Sequence, residues 1–318
     1  VGSNHVAIVW NPSKTSKDDL EAALADGVGD GELPAVSWFE TSVDDPGRGQ
    51  AREALDAGAD LVIAAGGDGT VRAVAECLAD ADTEAALGVV PMGTGNLLAR
   101  NLGLPLRSKG AAFEVALGGD TRTIDLGWAD AEVESGRCRF AFTVMAGVGI
   151  DAHMITETDE DLKGKVGWLA YVESLGRAVS ASDIIHMDLT VDGEEVQRRE
   201  AHTLIVGNCG ILTGGVTLLP DADPADGELD MLVLSAEDVG GWLDTLRSMV
   251  WDNGLKRMVG ASDEAASSDS VEHRRATAVA LDLEEPRVLE LDGDEVGESD
   301  HVEFSLQPGA LQVRVPRD

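Results

Sequence analysis

The stretch Leu61-Val62-Ile63-Ala64-Ala65-Gly66-Gly67-Asp68-Gly69-Thr70 decides the fold. Its first half is a short, wholly apolar run, the pattern of a strand buried on both faces. Three glycines around one aspartate follow, and helical spacing then runs over Asp68–Leu78. A strand that passes through a glycine-rich turn into a helix is the opening of a βαβ unit. Glycine lets the backbone adopt positive φ and approach a ligand closely. The free N–H groups at the helix start favour an anion. Together these features make a phosphate cradle, with an ordinary tight strand-to-helix turn as the competing reading. An aspartate inside such a cradle repels the ligand unless a divalent cation intervenes, so Asp68 is a candidate for positioning Mg2+.

The pattern repeats one strand later, in Val89-Val90-Pro91-Met92-Gly93-Thr94-Gly95-Asn96. Two such turns on successive strands sit side by side on one sheet edge. Upstream, His5–Trp10 and Ala35–Phe39 read as strands. Asp18–Leu24 (with Ser16 as N-cap), Ala51–Ala57 and Asn96–Leu102 read as helices. The alternation predicts a doubly wound, mostly parallel α/β domain over residues 1–126, with its ligand at the carboxyl ends of the strands. After Gly119 the pattern turns to alternating apolar and polar residues. Strands are expected at Arg122–Trp128, Arg139–Val144, Met187–Val191, Ala201–Gly207, Leu229–Leu234, Thr277–Leu283, Arg287–Leu291, His301–Leu306 and Leu311–Val315. Helices are expected at Val166–Ala178 and Gly241–Val250, and a surface loop at Gly260–Arg275. Residues 127–318 therefore read as a mainly antiparallel β domain, with room for the last strand to return to the first domain.

Composition narrows the function. The 318 residues hold 59 Asp and Glu against 24 Lys and Arg, a net charge of −35, with 43% hydrophobic residues. That is enough apolar material for a sizeable core, and too much for a disordered chain. The acidity argues against nucleic acid as a partner, because a phosphate backbone rewards clustered Lys and Arg. It also fits a salt-adapted source, although many ordinary acidic proteins share it. Cys77, Cys138 and Cys209 are far apart and form no CxxC, so small buried residues are expected rather than a disulfide or zinc framework. No apolar run approaches the roughly 18 residues of a membrane span. The start Val1-Gly2-Ser3 has no signal-peptide features, and the simplest expectation is a cytoplasmic protein. Walker GxxxxGK[ST], GxGxxG, HRD and DFG patterns are all missing.

Asn11-Pro12, Gly66-Gly67-Asp68-Gly69-Thr70, Gly93-Thr94-Gly95-Asn96 and Leu291-Asp292-Gly293-Asp294 occur in this order. With them the chain resembles the diacylglycerol kinase catalytic-domain family, which includes soluble bacterial lipid kinases and the sphingosine and ceramide kinases. The resemblance spans almost the whole chain. It implies a phosphofructokinase-like α/β domain, a β-sandwich-like second domain, and ATP in the cleft between them. Carried over, Gly66, Gly67, Asp68, Gly69 and Thr70 would hold the ATP phosphates. Gly93, Thr94, Gly95 and Asn96 would line the nucleotide site, with Asn11 and Thr41 near it. Asp68 would organise catalytic Mg2+, and Asp125 would join that acidic network, a hinge hydrogen bond being its equal alternative. Asp294 would be the catalytic base where the family commonly has Glu, with Glu295 as the rival.

The segment Pro220–Asp230 resembles one that carries a structural Mg2+ in some family members, with Asp223 and Asp226 as its ligands here. A solvated acidic turn explains the same residues. Asp292, Asp294, Gly297 and Glu303 match four EF-hand positions, but Val296 stands where a ligand belongs and strands flank the loop. One departure stands out: many soluble members carry Asp where this chain has Leu97. Trp168, Tyr171, Trp242 and Trp251 are core or membrane-facing aromatics, and Arg247, Lys256, Arg257, Arg274 and Arg275 are a candidate local basic face. The resulting expectation is an ATP- and Mg2+-dependent kinase of a diacylglycerol-like lipid that touches the membrane surface only transiently. A sphingoid base, ceramide or other lipid alcohol is the alternative acceptor, and a catalytically silent nucleotide-binding module the alternative class. A homodimer is open, since exposed sheet edges in the second domain could support one.

Overall fold

The computed structural model describes residues 5–29, 31, 35–149, 183–213, 217–235 and 271–317. The first lobe runs β1 (His5–Trp10), α1 (Lys17–Val28), β2 (Ala35–Glu40), α2 (Arg48–Asp56), β3 (Leu61–Gly66), α3 (Asp68–Asp80), β4 (Ala86–Pro91), α4 (Leu97–Asn101) and α5 (Lys109–Gly118). Its strands are parallel, in the order β4-β3-β1-β2. Every residue of β3 and β4 is buried. The pleat divides them between two cores. Val62 and Ala64 face Val71, Val74 and Ala75 of α3 and Ala51 and Ala54 of α2. Leu61, Ile63 and Ala65 face Leu20 and Leu24 of α1 and Phe113 and Ala116 of α5. Ser16 caps α1, its hydroxyl accepting from Asp19 N–H at 3.2 Å.

The sequence reading has no helix at α5. Its apolar residues are mostly small and spread around the axis, so no stripe stands out. Its legible signal is Ser108, whose hydroxyl caps the helix by accepting from Ala111 N–H at 3.1 Å.

The second lobe contains β5 (Asp120–Val133), β6 (Gly136–Phe142), β7 (Met145–Val148), β8 (Ile185–Val191), β9 (Gln197–Gly207), β10 (Leu229–Ser235), β11 (Val271–Ala276), β12 (Ala278–Leu291) and β13 (Asp294–Val315). They pair antiparallel around a core that includes Phe142, Leu189, Leu204, Leu281 and Phe304. Two expected pairs of strands are each one strand. β12 unites Thr277–Leu283 with Arg287–Leu291, apart from Thr277 itself, and β13 unites His301–Leu306 with Leu311–Val315. The register shifts at Asp282/Arg287 and Gln307/Leu311, so a bulge interrupts the alternation without ending the pairing. The expected loop Gly260–Arg275 is in part strand, since Val271–Arg275 lies in β11. The helices expected at Val166–Ala178 and Gly241–Val250 lie outside the described residues, with Trp168, Tyr171, Trp242, Arg247, Trp251, Lys256 and Arg257.

The end of β13 runs parallel to β4, with Gln312 opposite Ala86 and Val313 opposite Leu87. Through this strand one sheet runs across both lobes. The other end of β13 starts at Asp294, directly after the β12–β13 turn.

Candidate active site

Four parallel strands end in a row. Trp10 stands in register with Glu40 on one side and Ala65 on the other, and Gly66 with Pro91. Backbone bonds stitch the edge. Asn11 N–H donates to the Ala65 carbonyl (3.1 Å), Thr41 N–H to that of Trp10 (2.9 Å) and Met92 N–H to that of Gly66 (2.8 Å). The structure thus brings Asn11, Thr41, Gly66–Thr70 and Gly93–Asn96 to one edge, as parallel α/β topology requires. Thr41 is buried. Asn11 Oδ1 accepts from Ser13 N–H and Oγ at 2.9 and 2.7 Å, so its side chain shapes its own turn.

The two glycine turns are latched to each other by Asp68. Its Oδ2 accepts from Asn96 N–H at 2.7 Å and its Oδ1 from Leu97 N–H at 2.6 Å, the first amides of α4. The contact is tight enough that a Cβ on Gly93 would stand 2.9 Å from the Gly67 Cα. Asn96 folds its side chain back on its own loop. Its φ is +48°, a conformation Asn tolerates, and its amide folds back so that Oδ1 accepts from Gly93 N–H (2.7 Å) and Nδ2 donates to the Gly93 carbonyl (2.6 Å). Thr94 is the exposed tip of this loop. Leu97 is a core residue and its N–H holds Asp68, so the position adds packing rather than a carboxylate.

The second lobe brings its own turn to this edge. A Cβ placed on Gly69 would stand 3.1 Å from Asp294 Oδ2, so the Asp294 carboxylate rests against the glycine turn of the other lobe. Its neighbour Asp292 is buried and accepts from Thr143 N–H (2.8 Å), Thr143 Oγ1 (2.9 Å), Val144 N–H (2.8 Å) and Met145 N–H (3.1 Å). That use of its carboxylate, with β-strands on both sides, leaves nothing of an EF-hand. Burial holds the Asp68 carboxyl above the usual carboxylate range. Leu97 N–H pulls it back, the Asp292 charge raises it, Asn96 N–H lowers it, and the Asp294 charge raises it further.

Asp125 takes the hinge alternative. Its Oδ1 accepts from Gly309 N–H at 2.7 Å and its Oδ2 from Gly227 N–H at 2.9 Å. Its own N–H donates to the Pro224 carbonyl and its carbonyl accepts from Asn208 Nδ2. The residue ties the acidic turn to β13 and has no bond to Asp68 among these.

The acidic turn, where Asp223 and Asp226 are the expected Mg2+ ligands, is paired with arginines in this structure. Arg122 pairs with Asp223, while Arg275 lies 3.2 Å from Glu228 and 3.9 Å from both Asp226 and Asp230. Among the described residues no three acidic, His or Cys side chains converge on one point. Burial pushes the Asp230 carboxyl up to about 6, with Arg275 opposing and the Asp226, Asp221 and Glu228 charges adding to it. At matched ionic strength, replacing KCl with MgCl2 is expected to leave the melting temperature of the nucleotide-free protein unchanged. Arg275→Met should cost about 1–2 kcal/mol, modest because the arginine is half-exposed, and make the melting temperature rise with Mg2+. A Mg2+-dependent melting temperature in the unsubstituted protein would instead support Asp223 and Asp226 as metal ligands.

Sequence reasoning missed Arg72. It lies on α3 four residues after Asp68, and its partners are the Leu291 carbonyl and Asp294. Between the lobes it lines a groove of about 680 Å³ with Gly69, Ala73, Phe140 and Val296. Cys77, Cys138 and Cys209 are free thiols, and burial raises the thiol pKa of Cys77 and Cys209.

Comparison with known proteins fits this edge and cleft. The profile of the diacylglycerol kinase catalytic domain matches residues 5–129, and that of the YegS C-terminal NAD kinase beta sandwich-like domain matches residues 143–315. The chain belongs to the YegS-like, diacylglycerol kinase-related family of lipid kinases. A "Probable lipid kinase YegS-like" protein of Pseudomonas savastanoi pv. phaseolicola is 32% identical over 316 residues, covering 98% of this chain and 93% of that one. A protein of the same designation from Pseudomonas syringae pv. tomato is 34% identical over 314 residues, covering 97% and 92%. The crystal structure of a diacylglycerol kinase from Bacillus anthracis superposes with a TM-score of 0.67 at 20% identity, over 99% of this chain and 98% of that one, and shows the shared fold. The lipid kinase family places the chain among nucleotide-using phosphotransferases. Among the described residues no helix is long and apolar enough to cross a membrane.

Proposed function

We propose that this protein is an ATP- and Mg2+-dependent kinase that phosphorylates the hydroxyl of a diacylglycerol-like lipid. The observation that carries the reading is the Asp294 carboxylate of one lobe resting against Gly69 in the glycine turn of the other. Phosphoryl transfer asks the protein for positioning and electrostatics more than for covalent chemistry. The half-buried backbone of Gly67–Gly69 and the start of α3 offer N–H groups to phosphate oxygens. Asp294 is placed to accept the hydroxyl proton as the lipid oxygen forms its bond to the γ-phosphorus. The bond from that phosphorus to the bridging oxygen breaks, and ADP leaves.

The donor set fits Mg2+, which is bound by one or two carboxylates with phosphate oxygens and water completing its shell. Asp68 would hold the ion through lone pairs not used by the Asn96 and Leu97 amides, and burial first, then the nearby Asp292 and Asp294 charges, raise its pKa, a penalty on the carboxylate that a cation would relieve. The ion would neutralise charge on the transferring phosphoryl group. The net charge of −35 gives no general attraction to anionic lipid, so contact with the lipid surface is local and brief.

The acceptor is the finer part of the proposal, since the relatives' designations stop at lipid kinase. Radiolabelled ATP with a panel of diacylglycerol, sphingoid base, ceramide and monoacylglycerol in mixed micelles tests it. Labelling of diacylglycerol above the others is expected. Preference for a sphingoid base or ceramide changes the acceptor. ATP binding without any labelled lipid leaves a nucleotide-binding module and ends the kinase reading.

A further inference from the structure

The Arg72 side chain of α3 reaches the β12–β13 turn, and the chemistry above makes no use of it. Its Nη1 donates to the Leu291 carbonyl, and its Nη2 lies 3.2 Å from Asp294 Oδ2. Both acceptors belong to the turn Leu291–Asp294, more than two hundred residues away along the chain. The turn is therefore held from two sides. The Asp292 carboxylate fixes its backbone to Thr143–Met145 in the second lobe. Arg72 fixes its rim to the helix that begins with Asp68 in the first lobe.

The two sides differ in kind. The Asp292 bonds are buried and lie wholly within one lobe. The Arg72 bonds cross the cleft, with the arginine side chain 17% exposed and the Asp294 side chain 52% exposed. An exposed carboxylate at a turn has several rotamers available, and a partly buried guanidinium selects among them. A guanidinium is suited to this because its planar fork of donors reaches a carbonyl and a carboxylate together, where an ammonium is a single point. Arg72 also stands one helical turn from Asp68, on the same helix whose first residues form the phosphate cradle.

We propose that Arg72 is a positioning residue that locks the Asp294 carboxylate against Gly69 and couples the nucleotide lobe to the base-bearing turn. The proposal rests on the kinase reading for its kinetic consequence but not for its mechanical one. A misplaced catalytic group costs up to about 10²-fold in rate. Arg72→Ala is thus expected to lower kcat by about 10- to 100-fold while the KM for ATP changes less than about threefold. Arg72→Lys, which can keep one of the two contacts, should recover part of the loss.

Hydrogen exchange on the nucleotide-free protein gives a readout that needs no activity. The amides of residues 293–296 should exchange faster in Arg72→Ala and at an intermediate rate in Arg72→Lys, with those of β3 and β4 unchanged. Wild-type exchange in the turn together with wild-type kcat overturns the proposal. Faster exchange throughout both lobes also overturns it, because the residue is then a general support. If the unsubstituted protein labels no lipid but the turn alone exchanges faster in Arg72→Ala, the kinase reading fails and the mechanical coupling stands.

Discussion

Replacing Asp294 with Asn is expected to lower kcat by about 10²- to 10⁴-fold, the range for loss of a positioned general base, with ATP affinity held within about threefold. Asn is the informative substitution because its Oδ1 can still accept from Arg72, which keeps the turn in place while removing the basic carboxylate. The rival base, Glu295, is separated from Asp294 by strand geometry. Successive side chains of β13 point to opposite faces, and in the ladder Asp294 stands opposite Leu291 and Glu295 opposite Glu290. With Asp294 directed at Gly69, Glu295 is directed away from it. Glu295→Gln should therefore turn over at close to the wild-type rate. Single-turnover transfer of labelled phosphate to lipid, beside equilibrium ATP binding, checks both variants. A large loss in Glu295→Gln with normal turnover in Asp294→Asn would exchange the two assignments.

The parts of this site that were legible in the sequence are those encoded locally. The buried run Leu61–Ala65 and the glycines after it state strand, turn and helix start within ten residues, and the second turn repeats the statement. Local pattern also showed a change after Gly119, where the antiparallel β5 begins at Asp120. What it could not give is which polar atoms are consumed by distant backbone. Asn96 looks like a ligand in a glycine-rich loop, yet its amide is used on Gly93 to hold a left-handed turn. Asp125 looks like a member of an acidic network, yet its carboxylate binds Gly227 and Gly309, about one hundred and about one hundred and eighty residues on. Arg72 and Arg275 carry no motif at all, and their meaning comes only from what crosses over to meet them. The strand errors share one physical origin. A bulge in β12 and another in β13 break the two-residue period without breaking the ladder, so each long strand reads as two short ones.

The stability of the base-bearing turn should depend most on Asp292. Asp292→Ala is expected to cost about 3–5 kcal/mol, read from urea unfolding. The carboxylate is 4% exposed and accepts three backbone N–H groups and one hydroxyl. Removing it leaves those donors buried without a partner, which is more costly than the net worth of the bonds themselves. A second contribution comes from the backbone. Residue 292 has a φ of +52°, a left-handed conformation that costs Ala about 1–2 kcal/mol and that Asp and Asn tolerate. Asn at 292 avoids the strain and keeps one acceptor oxygen, but it turns an NH₂ group towards donors, so about 2 kcal/mol is expected for that variant. Both variants should also lose turnover, because the turn that Asp292 anchors is the one that presents Asp294. The two effects separate by substitution: Asp294→Asn removes turnover and leaves the unfolding midpoint nearly in place, while Asp292→Asn lowers both. An Asp292→Ala protein that unfolds within about 1 kcal/mol of wild type would mean that the Thr143–Met145 amides find other partners. The turn would then be held chiefly from the nucleotide lobe, by Arg72.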